Sequence, residues 1–389
     1  MFPPLAGRKP SGATLAAFRR ALLQWFAAKR RALPWRKSRD PYHIWVAEIM
    51  LQQTRIAAVI PYYEQFLERF PTIAELARSD EAEVLGLWSG LGYYQRARNL
   101  QRAAREIVEL HGGKFPRDAE VARTLPGIGV YTLAAVLSIA YGKPLAALDG
   151  NIARVLARLG AVRSPLRDPQ TRRKLQEEAQ RLLASGNPGD WNQAFMELGE
   201  TVCTPRAPRC EECPMARWCR ARGMELQNEI PTKRILREGI RVTLAAAVLC
   251  DPRGETLLLR SPGRHDAVLF SRLRQFPAIE IIGDMRDGVR EEAKPRATTQ
   301  IRNYLRDELG LPKLLKKSFR QLPALRHAVT FRDVVLLPVL VRVARLPRHS
   351  EGEAVPLQDV PHMPISSATR KIARAALTAL AGSSNQARN

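Results

Sequence analysis

Four of the five cysteines lie in one short stretch, spaced Cys203-x6-Cys210-x2-Cys213-x5-Cys219, and this spacing restricts the fold more than any other feature. Thiols so close together are metal ligands or form disulfides, and an intracellular setting disfavours disulfides. All-cysteine sites hold zinc as well as iron-sulphur clusters, so the spacing leaves the metal open, although its wide outer gaps differ from the paired knuckles of zinc sites. The fifth thiol, Cys250, is expected to be a small buried apolar residue.

The 389 residues exceed what one compact core usually holds, so two domains are expected. Helical periodicity from about Leu15 to Cys219 predicts an all-α first domain. A polar segment follows, and strand-like runs then predict a smaller α/β domain; the runs are Val242–Leu249, Thr256–Arg260, Pro277–Ile282 and Asp333–Val343. The predicted boundaries are 1–220 for the helical domain, 221–237 for a linker, 238–380 for the α/β domain and 381–389 for a disordered tail.

The chain carries 62 Lys and Arg against 38 Asp and Glu, a formal charge of +24 that is spread along its length. A polyanionic partner is the natural inference, with duplex DNA as the candidate. No apolar run approaches the length of a spanning helix and no signal-like segment opens the chain, so a cytoplasmic protein is expected, nucleoid-associated if bacterial. A monomer is also expected. Charge alone suits a ribosomal or architectural protein equally well.

The segment Leu125–Gly129 (Leu-Pro-Gly-Ile-Gly) separates an amphipathic stretch from a long apolar helix, Val130–Tyr141, and predicts a helix-hairpin-helix. Gly127 and Gly129 would let the backbone approach a DNA phosphate, which the amides of the second helix could bind. The alternative is a tight interhelical turn without a ligand.

Glu48 is the only ionisable residue between His43 and Arg55. Asp40 and Pro41 predict the N-cap and first residue of a helix that is apolar nearly all round and therefore buried. Burial should raise the pKa of Glu48, so that it could donate a proton near neutral pH. The alternative is a structural glutamate paired with a neighbouring arginine.

Asp149 precedes a predicted helix, Ile152–Leu159, and could simply cap its N-terminus. The helix terminus should keep this carboxylate ionised, which would complement a protonated Glu48. An acid for the leaving group and an anion for an oxocarbenium ion are the two carboxyls that cleavage of a glycosidic bond requires.

The hairpin, the Leu148–Asn151 segment and the cysteine loop together resemble the endonuclease III superfamily. Within it, residues 15 to 219 resemble the MutY family of adenine DNA glycosylases, through Leu33–Arg36, Glu48–Thr54, Gly90–Tyr94 and Leu148–Arg158. The resemblance implies a [4Fe-4S] cluster on the four cysteines and removal of adenine mispaired with 8-oxoguanine or guanine, after the adenine is extruded from the stack.

The resemblance also implies the role of each site residue. Glu48 would protonate adenine N7 and Asp149 would stabilise the oxocarbenium ion or its covalent adduct. Adenine-pocket positions and residues that probe the helix around 8-oxoguanine are also implied: Arg31, Arg36 and Glu197 for the first group, Gln53, Leu91 and Tyr93 for the second. A packing role alone would equally explain Leu91 and Tyr93.

Two rival functions differ in identifiable residues. Endonuclease III forms a Schiff base with a lysine two residues beyond the last hairpin glycine, where this chain has Tyr131, and a phenol cannot form an imine. Base removal without strand cleavage is therefore expected. A non-catalytic iron-sulphur DNA-binding protein would need neither Glu48 nor Asp149, and the chain has both.

The second domain occupies the place of the family's nudix-like domain, which recognises 8-oxoguanine. Asn303–Gly310 resembles only the tail of the nudix motif, so a non-catalytic domain is expected. The family's Phe-Ser-His lesion contact falls on Val329–Phe331, where only the hydroxyl of Thr330 survives.

Overall fold

The computed structural model describes residues 12–184, 186–232, 240–260, 273–281, 293–311, 318–329, 332–363 and 365–386. The chain divides into two compact units. The first comprises Met1–Val84 and Tyr93–Ile235, and the second comprises Leu85–Gly92 and Leu236–Asn389. Among the described residues, no helix combines the length and apolarity needed to cross a membrane.

Helices dominate the first unit, as its periodicity predicts. They are α1 (Gly12–Lys29), α2 (Pro41–Leu51), α3 (Ile56–Arg69), α4 (Ile73–Arg78), α6 (Gln95–His111), α7 (Ala119–Thr124), α8 (Val130–Tyr141), α9 (Gly150–Gly160), α10 (Pro169–Leu182), α11 (Pro188–Thr201) and α12 (Arg220–Gly223). Helix α5 (Glu81–Leu87) begins in the first unit and ends in the second. A core shared by α1, α8, α9, α10 and α11 is built around aromatic side chains, among them Phe18, Trp191 and Phe195.

Helix α2 begins where the sequence predicts. The Asp40 carboxylate accepts a hydrogen bond from the Tyr42 N–H at 2.7 Å, and Pro41 needs no donor partner at the first helical position. Every residue of α2 from Ile44 to Met50 is buried, as expected for a helix that is apolar all round.

Helices α9 and α11 pack with almost no space between them. A Cβ atom on Gly199 of α11 would lie 2.6 Å from the Cβ of Asn151 on α9. A Cβ atom on Gly189, in the first turn of α11, would lie 2.8 Å from the carbonyl oxygen of Ser138. Because neither neighbour is the free end of a flexible side chain, both positions require glycine.

The first unit extends further along the chain than the predicted boundary at residue 220. Ala221, Leu226 and Ile230 are buried and belong to the same core as α9 and α11. Residues 221–232 therefore pack against the helical unit instead of forming a linker. Burial of these three apolar side chains lowers the free energy relative to a solvated segment. The rest of the predicted linker, 233–237, lies outside the described residues.

The second unit contains eight strands among its described residues: β1 (Ile240–Cys250), β2 (Glu255–Arg260), β3 (Arg274–Gln275), β4 (Ala278–Glu280), β5 (Phe319–Gln321), β6 (Leu325–Val329), β7 (Arg332–Arg342) and β8 (Gly352–Pro356). One sheet has the order β4-β1-β7-β5, with β6 also paired to β7, and β1 and β7 run parallel. The other has the order β3-β2-β8. The four predicted strands are thus present as β1, β2, β4 and β7, and the other four, of two to five residues, were not predicted.

Both faces of the larger sheet are covered, which explains why β1 is apolar along its whole length. Val242, Leu244 and Val248 pack in one core with α14 (Ser367–Gln386). Ala245, Ala247 and Leu249 point to the other face and pack in a core with α13 (Ala293–Asp307). The prediction of a mainly α part followed by a smaller α/β part is confirmed.

The predicted disordered tail is wrong in its first part. Helix α14 continues to Gln386, so residues 381–386 are helical. Small polar residues do not stop a helix that is already nucleated, because each further residue adds one backbone hydrogen bond.

Candidate active site

Glu48 lies in the middle of α2 with only 5% of its surface exposed. The Tyr131 hydroxyl, on α8, donates a hydrogen bond to Oε2 of Glu48 at 2.6 Å. Burial raises the pKa of Glu48 to about 7, the hydrogen bond from Tyr131 opposes the rise, and the charge of Asp149 adds to it. The buried glutamate is therefore bonded to a phenol, not paired with an arginine as the alternative interpretation expected.

Asp149 is the N-cap of α9. Its carboxylate accepts a hydrogen bond from the Ile152 N–H at 2.6 Å, so the capping role inferred from the sequence is present. Burial raises the pKa of Asp149, while the Ile152 hydrogen bond and the charge of Arg154 oppose that rise. The helix terminus was expected to keep Asp149 ionised; it lowers the pKa of Asp149 as expected, but burial outweighs it and the pKa is raised.

Glu197, on α11, is the centre of a second polar group and is 1% exposed. Arg31 donates to Glu197 from Nε at 2.7 Å and from Nη2 at 3.0 Å, and Arg36 Nη2 donates to the same carboxylate at 2.9 Å. Burial tends to raise the pKa of Glu197, but these two guanidinium groups outweigh it and lower the pKa. The structure thus brings together the three residues that resemblance assigned to an adenine pocket. Arg36 Nε also donates to Gln193, which the sequence analysis did not identify.

The helix-hairpin-helix is present, with α7 ending and α8 beginning on either side of Leu125–Gly129. Gly127 has φ of +81°, and a Cβ atom there would lie 2.8 Å from the Cβ of Asn99. Gly129 is the N-cap of α8, with no atom within 4 Å of the place a Cβ would occupy. The backbone amides of the first turn of α8 are therefore next to open space at Gly129.

The residues expected to probe the helix differ in exposure. Gln53 follows the end of α2 and has φ of +59°, and Tyr93 is 45% exposed with φ of +50°. The Tyr93 side chain is thus about half exposed, so burial does not decide between a packing role and a DNA-probing role. Leu91 belongs to the second unit and is buried, as the packing interpretation predicts. Thr330 lies outside the described residues.

The four cysteines of the short stretch line one small cavity together with Arg158. Arg158 Nη1 donates to the sulphur of Cys203 at 3.2 Å, and burial raises the pKa of the Cys213 thiol to about 12. Within the described residues, no three His, Cys, Asp or Glu side chains are arranged to hold a single metal ion. Four converging sulphurs with a guanidinium donor fit a sulphur-ligated, negatively charged cluster.

Two buried arginines of α9 connect the cysteine loop to its surroundings, and the sequence analysis missed both. Arg154 donates to the carbonyl oxygens of Cys203 and Gly199 and to the side chain of Asn151, each at 2.9 Å. Arg158 donates to carbonyl oxygens of the same loop and of Ile230. A pair of arginines four residues apart in a helix otherwise buried was the available signal.

Residues 46–183 match the family described as HhH-GPD superfamily base excision DNA repair protein, and residues 203–219 match the iron-sulphur binding domain of endonuclease III. The four-cysteine loop is therefore a [4Fe-4S] site, and the helical part of the chain resembles the endonuclease III superfamily of helix-hairpin-helix proteins. Cys203, Cys210, Cys213 and Cys219 are the residues available to hold that cluster.

The chain is also similar to curated proteins named adenine DNA glycosylase. The chain is 45% identical over 227 residues to the human adenine DNA glycosylase, which covers 56% of this chain and 42% of that protein. It is 37% identical over 207 residues to that of Buchnera aphidicola subsp. Schizaphis graminum, covering 53% and 60%. The solved structure of a thermostable thymine-DNA glycosylase covers 54% of this chain and 97% of its own, with 31% identity and a TM-score of 0.49. The chain spans less than two thirds of the curated relatives it matches.

Proposed function

We propose that this protein is an adenine DNA glycosylase that removes adenine mispaired with 8-oxoguanine or guanine in duplex DNA. The observation that carries the proposal is the buried carboxyl of Glu48, 2.6 Å from the Tyr131 hydroxyl and close enough to Asp149 for the two charges to interact. The curated relatives are named adenine DNA glycosylases, which supports adenine as the base.

The proposed reaction uses the two carboxyls in different ways. Glu48 donates its proton to N7 of the extruded adenine, so that the base leaves as a neutral molecule and the N-glycosidic bond breaks. Positive charge then develops on the sugar, which lowers the pKa of Asp149 and favours its ionised form beside the oxocarbenium ion. Water attacks C1′, and its proton passes to the solvent or to the now ionised Glu48.

Tyr131 supports hydrolysis over the lyase reaction. Tyr131 stands at the sequence position where the resemblance places the lysine of a superfamily lyase, and its hydroxyl donates a hydrogen bond to Glu48. Arg31, Arg36 and Glu197 form the polar group that would recognise the adenine edge. The hairpin glycines Gly127 and Gly129 would hold a phosphate of the same strand, and the net charge of +24 would favour the duplex without selecting its sequence.

We also propose that the second unit recognises 8-oxoguanine as a non-catalytic nudix-like domain. The support comes from the sequence, in which Thr330 retains the hydroxyl of the family's lesion-contacting segment. One neutral hydrogen bond contributes about 0.5 to 1.5 kcal/mol, so this contact would give a modest preference for the lesion.

A single-turnover assay on matched duplexes tests the function. Adenine stands opposite 8-oxoguanine, guanine or thymine, and each product is analysed with and without hot alkali, which cleaves abasic sites. We expect fast excision for the first two duplexes, slow excision for the third, and strand breaks only after alkali. Glu48→Gln is the matched control, which should bind the duplexes and leave them intact. Excision that is independent of the opposite base would rule out the proposed specificity.

A further inference from the structure

Arg96, in the first turn of α6, holds the end of the helix that carries Glu48. Its Nη1 donates to the carbonyl oxygens of Ile49 at 2.8 Å and of Met50 at 3.0 Å, and also to that of Gln52. Its Nη2 donates to the hydroxyl of Thr54 at 3.4 Å. The last carbonyls of a helix have no partner within the helix, and here a single guanidinium supplies one.

The same guanidinium lies against a second segment. Its central carbon is 5.3 Å from the ring centroid of Tyr93. The backbone N–H of Arg96 separately donates to the Tyr93 carbonyl at 2.8 Å. One side chain therefore joins the turn after α2 to the turn before α6. The residues that Arg96 contacts in the two turns, 49–54 and Tyr93, belong to the first unit.

Each turn contains a residue in the left-handed region that is not glycine. Gln53 has φ of +59° and Tyr93 has φ of +50°, and both side chains are exposed. Such conformations cost free energy and persist only where the surrounding structure fixes them. The arginine contacts the residues on both sides of Gln53 and the ring of Tyr93, so it is a group that both turns share.

We infer that Arg96 is a positioning residue, which holds Gln53 and Tyr93 as one rigid edge that supports extrusion of the target base and takes no part in bond cleavage. This inference rests on the proposed function. A lysine cannot replace the guanidinium, because a single ammonium group cannot donate along the fork that reaches three carbonyls and a hydroxyl while stacking on a ring.

The test compares Arg96→Lys with Arg105→Lys. Arg105 lies on the same helix and also donates to two carbonyl oxygens, those of Ala77 and Ser79, but these belong to the end of α4, away from both turns. The Arg105→Lys variant therefore shows how much stability and activity change when α6 loses arginine-to-carbonyl hydrogen bonds at another place. Thermal unfolding and the cluster absorbance are recorded for both variants.

Single-turnover rates are measured on adenine paired opposite guanine and on adenine in a one-nucleotide bulge, where extrusion costs less. We expect Arg96→Lys to slow excision of the paired adenine about tenfold or more and excision of the bulged adenine by less than about threefold. Arg105→Lys should leave the ratio of the two rates unchanged. An equal loss on both substrates, or no loss on either, overturns the inference.

Two further measurements keep the result independent of folding and of the proposed activity. With 2-aminopurine at the target position of the duplex, binding of the Glu48→Gln protein should raise the fluorescence of this base. Adding Arg96→Lys to that protein should remove most of the rise. If Arg96 acts through Tyr93, the double variant Arg96→Lys, Tyr93→Ala should excise the paired adenine little more slowly than either single variant. Additive losses of rate would count against the inference. Failure of the wild-type protein to excise adenine from any duplex would instead refute the proposed function.

Discussion

Burial of Glu48 lowers the free energy of unfolding by an amount that depends on pH. The folded protein holds this carboxyl at a pKa of about 7, whereas the unfolded chain titrates near 4.5. Between these values the folded state binds more protons, so stability falls as the pH rises and the full penalty is present above pH 7. The acid that the proposed chemistry needs is therefore kept at the expense of stability.

Glu48→Gln should remove this penalty. The amide oxygen can still accept the hydrogen bond from Tyr131, and no charge is left to desolvate. We expect the variant to be more stable than the wild type by roughly 1 to 3 kcal/mol at pH 8, with the gain shrinking towards zero near pH 4.5. Urea unfolding at the two pH values measures the difference. A gain that is the same at both would show that ionisation of Glu48 is not its origin.

Tyr131→Phe should change how excision depends on pH. The phenol donates to the ionised form of Glu48 and so lowers its pKa, which means that the variant should keep the acid protonated to a higher pH. The alkaline limb of the single-turnover rate profile should move upward. Tyr141→Phe is the control, because its hydroxyl, also on α8, donates to the Phe115 carbonyl and not to the site. An alkaline limb that moves down, or stays in place, contradicts this account.

Substitutions of the two hairpin glycines should affect different properties, one the stability of the fold and the other the binding of DNA. Gly127→Ala should destabilise the fold, because its φ is positive and its Cβ would meet Asn99. Gly129→Ala meets nothing within 4 Å and should leave stability nearly unchanged. If the backbone there grips a phosphate, Gly129→Ala should still weaken binding of any duplex about equally. Fluorescence anisotropy on matched and mismatched duplexes measures this, and unchanged affinity would leave the hairpin as a structural turn.

Local signals allowed the elements around the site to be predicted. Asp40 and Pro41 determined the start of α2, and the continuous apolar run showed that Glu48 would be buried. The hydrogen bond between Glu48 and Tyr131 joins residues 83 positions apart, and Arg96 reaches back 44 positions to Gln52. Such contacts depend on how helices pack, which no local pattern contains. The short strands β3 and β5 were missed for a related reason, because they are defined by pairing with β2 and β7.

At the scale of the whole molecule, each unit has a core of its own. We expect a chain truncated after Ile235 to keep the cluster and to excise adenine opposite guanine, and to lose most of its preference for 8-oxoguanine. The ratio of single-turnover rates on the two duplexes, for the wild type and the truncation, measures this. A folded truncation that keeps the wild-type ratio would show that the second unit is not the lesion reader.

The close contact between Gly199 and Asn151 predicts how position 199 tolerates missense mutation. Any side chain at position 199 would press on the helix whose first residue follows Asp149, so even alanine should displace the carboxylate. In a genetic screen that scores mutation rate in cells lacking their own enzyme, every missense allele of Gly199 should therefore score as a null. Codon 199 would then be as sensitive to mutation as the codon for the proton donor, although glycine offers the reaction no chemical group.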